Sequence, residues 1–186
     1  MNTRTKFTLI HRMLHWVIAI AVTVQFFTGF LRMKWMGKKA VIGAMEQHEI
    51  PASSEQMKAV YKTIREPMWQ WHEIFAHVVI IAFLVRIVYM LLKGIRFPNP
   101  FKRFVSFKER LQGLTYVYFY GFLFVQSITG IFLEKALFSQ YKDTIEDVHK
   151  WGIWWFPIFI VLHLGGVLLA EYSDKKGITS NMIGGE

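Results

Sequence analysis

Residues His149-Lys150-Trp151-Gly152-Ile153-Trp154-Trp155-Phe156-Pro157-Ile158-Phe159-Ile160-Val161-Leu162-His163 form an apolar run with an imidazole at each end. The apolar block runs from about Trp151 to Leu169. At a rise of about 1.5 Å per residue, a block of that length crosses a hydrocarbon core of roughly 30 Å. Lipid offers no hydrogen bonds to the backbone, so the segment must be helical. The histidines are 14 residues apart. At about 100° and about 1.5 Å per residue, they lie only about 40° apart around the axis and about 21 Å apart along it. One helix face thus offers two imidazoles, one near each membrane surface.

Three further blocks have the same character: about Met13 to Leu31, about Ile74 to Leu92, and about Leu111 to Leu133. The expected fold is all-α, a membrane four-helix bundle forming a single domain over residues 1–186. The first block outruns the roughly 7–15-residue core of a signal peptide. Bulky Phe30, Leu31 and Met33 also stand where a cleavage site would need small residues. It reads as a span. An even number of spans puts both termini on one side. Positive charge is nearly equal on the two sides, but the short 93–110 connection carries six Lys/Arg. That density makes the terminal side cytoplasmic. The 32–71 connection is broken by Pro51 and Ser53-Ser54, and Met57 to Arg65 has the pattern of a short amphipathic helix. The segment from Glu171 onward reads as a polar tail.

Composition agrees. The chain is 53% hydrophobic and 17% aromatic, against roughly 45–50% apolar in a typical soluble domain. The net charge of +9 comes from cations flanking apolar runs, which suits lipid headgroups rather than nucleic acid. There is no cysteine. Disulfides, thiolate metal sites, iron–sulfur clusters and covalently attached haem are therefore excluded.

Six of the seven histidines lie in or beside the apolar blocks; His48 lies in a connection. Ionisable groups at membrane depth are costly and usually functional. His15 opens the first span on the terminal side, at the level of His163. His72 opens the second on the other side, at the level of His149. The topology thus pairs His15 with His163 and His72 with His149. Two facing imidazoles suit six-coordinate haem iron. Zinc would want three or four ligands in one cluster. His77 competes with His72, about 140° around the helix and about 7.5 Å deeper. His11 shares the face of His15, nearer the surface, where a propionate or a quinone would meet it. Arg86 follows His72 by 14 residues, on the same face at the inner level. A haem propionate would partner it; snorkelling to the inner surface is the alternative.

The first and third spans share an echo. Val24-Gln25-Phe26-Phe27-Thr28-Gly29 matches Val125-Gln126-Ser127-Ile128-Thr129-Gly130. Gly29 and Gly130 would let a neighbour approach closely, either a flat cofactor or another helix.

Arg12-Met13-Leu14-His15-Trp16 followed by Thr28-Gly29 resembles the opening of the bacterial cytochrome b561 family. That family includes the b-type cytochrome subunits of nickel–iron hydrogenases and formate dehydrogenases. His72-Glu73 with Arg86 is similar to its second-helix signature, and His149 and His163 match its fourth-helix spacing. The family's usual glycine is Ala76 here, followed by His77. The resemblance implies two haems b, one near each surface, and electron exchange with a quinone pool. It implies a multi-pass protein of the bacterial inner membrane, serving as electron-transfer subunit of a quinone-linked oxidoreductase complex. Its partner would be an outer-face dehydrogenase, reductase or c-type cytochrome. The long 32–71 connection is a docking candidate for it. Two other classes share these residues: a self-sufficient quinone oxidoreductase acting on a small molecule such as superoxide, and a haem-free anchor or transporter.

Overall fold

A computed structural model of the chain describes residues 7–95, 97–173 and 176–185. Among these it is helical, without strands. The helices are α1 (Leu9–Met33), α2 (Lys38–Gln47), α3 (Ser54–Lys93), α4 (Phe107–Glu134), α5 (Lys142–Lys150), α6 (Gly152–Glu171) and α7 (Ile178–Ile183), with a single 3₁₀ turn at Ser139–Tyr141. Four helical segments are long and apolar enough to cross a membrane: α1, α3, α4 and the run from Ser139 to Glu171. The protein is a multi-pass membrane protein. Its apolar surface fits that reading, since Leu91, Leu92 and Val161 are each more than 70% exposed. In water such a surface would drive association; in lipid it is the solvated face.

The elements differ from the sequence expectation in three ways. First, α3 starts at Ser54, not near Ile74, and is 40 residues long. The expected short helix over Met57 to Arg65 lies in its N-terminal half, and His72 lies within the helix rather than at its opening. Hydropathy reports only the part that meets lipid, and the charged half is an ordinary helix former. Pro67 sits inside α3. It cannot donate to the Thr63 carbonyl. Second, helix extends to both sides of Trp151, so most of the 134–148 connection is helical. Trp151 has helical φ −62° and ψ −16°, so α5 runs almost directly into α6. Third, the polar tail folds back. Gly177, at φ +83°, makes a turn that a side chain would strain. The Glu171 carboxylate then accepts from the backbone N–H of Gly177 at 2.6 Å and of Thr179 at 3.1 Å. Residues 1–6 and 186, and Arg96 of the charged 93–110 connection, lie outside the described residues.

The chain divides into two compact units, residues 1–18 with 80–186 and residues 19–79. In the first, α4 packs against α5 and α6, and α7 against α6. Phe119 stacks on Phe159 with centroids 4.5 Å apart. The Tyr118 hydroxyl donates to the Trp155 carbonyl at 3.0 Å. Arg12 and Trp16 donate to the carbonyls of Ile183 and Met182, so α7 is tied to the start of α1. A capping box opens α4: Ser106 Oγ accepts from Glu109 N at 3.2 Å, and Glu109 Oε2 accepts from Ser106 N at 3.1 Å. In the second unit, Ala21, Val22 and Val79 are buried.

Gly113 is buried on α4 where the 93–106 connection crosses it. A Cβ there would lie 2.5 Å from the Pro98 carbonyl oxygen and 2.9 Å from Pro100 Cδ. Backbone cannot yield as a flexible side chain does. Gly113→Ala should therefore destabilise the protein by about 1–3 kcal/mol, read as a lowered thermal midpoint in detergent.

Candidate functional site

Each histidine singled out by the sequence has a definite place. In the first unit, the rings of His15 and His163 face one another with centroids 5.9 Å apart and planes 39° apart. Phe159 stacks on His163 at 5.4 Å, and Trp16 stands edge-on to His15 at 5.5 Å. Both imidazoles are half-buried among apolar helices. This pairing is the one that depth alone predicted.

Arg86 is 9% exposed. Its Nε donates to the Tyr120 hydroxyl at 2.9 Å. It does not snorkel to the surface. Tyr120 was not foreseen, because a tyrosine in an aromatic-rich span carries no sequence signal of its partner. His11 and Arg86 line a cavity of about 280 Å³ with Met90, Ile95, Phe97, Pro98, Glu109, Gln112 and Tyr116. Polar and apolar walls are mixed there.

His72 and His149 are each held by a threonine. In the second unit, Thr28 Oγ1 lies 2.8 Å from His72 Nδ1 and donates to the Val24 carbonyl at 2.8 Å. In the first unit, Thr129 Oγ1 lies 2.9 Å from His149 Nδ1 and donates to the Val125 carbonyl at 2.7 Å. A hydroxyl has one proton. With that proton on the helix carbonyl, the oxygen can accept from a ring Nδ1–H, the tautomer that leaves the lone pair on Nε2.

The glycines of the echo sit beside the same rings. A Cβ on Gly130 would lie 3.3 Å from His149 Cε1, and one on Gly29 would lie 3.6 Å from His72 Cε1. The close neighbour they admit is the imidazole itself. Gln25 donates to the His72 carbonyl, and Gln126 lies against Gly152. Thus Val-Gln-x-x-Thr-Gly builds the same histidine cradle twice. The repeat was visible in sequence, and the threonine was its unread signal.

His77 is exposed, and its Nδ1 bonds to the carbonyl of Glu73 on its own helix at 2.8 Å. It lacks the cradle that His72 has. His48 is exposed as well.

Four apolar helical segments, with two imidazoles facing one another among them, define a multi-pass membrane protein with histidines set in its helices. The chain belongs to the prokaryotic cytochrome b561 family, whose model matches residues 6–185. It is therefore a membrane b-type cytochrome that carries electrons. No curated protein and no solved structure matches it.

The family implies haem b, and the residues fit it. His15 and His163, two facing imidazoles half-buried among apolar helices, would hold it through their ring nitrogens, and it would supply a redox-active iron there. For the cradled histidines, loss of a hydrogen bond that orients a ligand typically costs about 10–100-fold in metal affinity. Thr129→Val should weaken haem binding by that factor while preserving helix content, as measured by haem titration of the apoprotein and circular dichroism.

Proposed function

We propose that the protein is the membrane electron-transfer subunit of a quinone-linked oxidoreductase in the bacterial inner membrane, with both termini cytoplasmic. In this reading the chain holds two haems b. His15 and His163 ligate the inner one, and His72 and His149 the outer one. Electrons pass between quinone in the membrane and an outer-face redox protein: a dehydrogenase, a reductase or a c-type cytochrome.

The observation that carries the reading is the 5.9 Å opposition of His15 and His163. The twin threonine cradles support His72 and His149 as the second set of ligands. Haem, when bound, supplies a reversible one-electron iron couple. The protein's share is orientation and surroundings. Thr28 and Thr129 fix the tautomer and aim of their imidazoles. Phe159 and Trp16 flank the inner rings and keep water from them. Arg86 sets a buried positive charge beside the inner pair, where it can hold a propionate and favour the reduced, less positive state. His11 and the cavity beside Arg86 offer polar groups for a propionate or a quinone headgroup.

A reduced-minus-oxidised visible spectrum with haem quantification tests the reading. The wild-type chain should bind two haems, and His163→Ala and His149→Ala should each remove one. A colourless wild-type protein, or unchanged haem content in both variants, would sink it in favour of an anchor or transporter.

A further inference from the structure

The second unit contains a cavity that the reading above does not use. It measures about 280 Å³ and is lined by Arg32, Tyr61, Lys62, Arg65, Glu66 and Trp69. Three cations meet one carboxylate there. Arg65 donates from Nη1 to the Tyr61 hydroxyl and lies over that ring at 4.6 Å. Its Nε is buried without a hydrogen-bond partner. A guanidinium N–H withdrawn from water and left unmatched is costly. Its geometry, a planar fork of donors, is that of a carboxylate receptor.

The cavity is built onto the wall of a histidine. Arg65 precedes His72 by seven residues on α3. That is nearly two turns, so the two share a helix face about 10.5 Å apart. Trp69 fills the turn between them. Its ring stacks on His72 at 6.4 Å with planes 19° apart. The Arg32 guanidinium lies 4.3 Å from the centre of the indole. Cation, indole and imidazole thus form one stack, and Arg65 stands on its outward side.

We propose that Arg32, Lys62 and Arg65 form a carboxylate-binding site, and that the carboxylate is a propionate of the haem held at His72. The proposal rests on the reading of His72 as an axial ligand. Propionates are the charged groups of haem b and must find cations or water. The cavity lies on the charged, N-terminal half of α3.

The test uses the full chain with His163→Ala, so that only the outer centre reports. Haem loss to an excess of a haem-scavenging protein is timed, and the midpoint potential is titrated, for haem b and for haem dimethyl ester. Arg65→Gln and Arg32→Gln should each speed loss of haem b on the order of tenfold or more and lower its potential. Arg65→Lys should recover part of both effects. Lys58→Gln, an exposed cation outside the cavity, should change neither. With the dimethyl ester, which has no carboxylate, all chains should lose haem equally fast. Unchanged loss of haem b in both arginine variants would overturn the proposal, as would equal acceleration for the ester, which would mark a packing effect. A potential that responds to added acetate only while Arg65 is present, with haem retention unaltered, would assign the site to a free carboxylate and overturn the propionate. A His163→Ala chain without haem would overturn the proposal together with the reading of His72, whereas retained haem with unchanged loss rates overturns the proposal alone.

Discussion

A neutral imidazole that must stay aimed while surrounded by hydrocarbon is the constraint around which this protein is arranged. Water cannot orient such a ring, so the chain must. It does so with a threonine that first satisfies its own helix. In most helices the bond from threonine to the carbonyl one turn back is a local matter that slightly weakens the helix. Here it leaves the hydroxyl oxygen 2.8–2.9 Å from the ring nitrogen, free to accept from it. Glycine, one residue on, keeps the space beside the ring open, tightly so at Gly130. Two short polar contacts therefore hold each ring in one orientation.

Sequence revealed what depends on period and depth. The spans follow from apolar length, because lipid forces the backbone into helices. Pairing His15 with His163 needed only helical rise and the direction of each span. His72 and His77 lie near the same boundary, and sequence offers no means to tell their surroundings apart. What distinguishes them in the structure is a partner of His72 44 residues away, Thr28, which no local pattern on α3 announces.

The remainder was hidden for specific reasons. The N-terminal half of α3 was read as a connection because hydropathy measures solvent preference rather than helicity. The tail read only as polar because its anchor is the Glu171 carboxylate, which binds backbone N–H groups six and eight residues later. Such bonds leave no trace in periodicity. Tyr120 illustrates the same limit, since the sequence shows that Arg86 must have a partner but not which one. Membership of a family adds the class of cofactor and leaves the geometry to be seen.

The long helix α3 has one further consequence, for vertical register. Its 40 residues extend about 60 Å, roughly twice the hydrocarbon thickness. Its N-terminal half carries Glu55, Lys58, Lys62, Arg65 and Glu66. Sinking the helix by one turn would drag part of that charge into lipid, and raising it would lift apolar residues into water. The helix is therefore self-levelling, and the height of His72 is set by a band of charges along the helix that carries it.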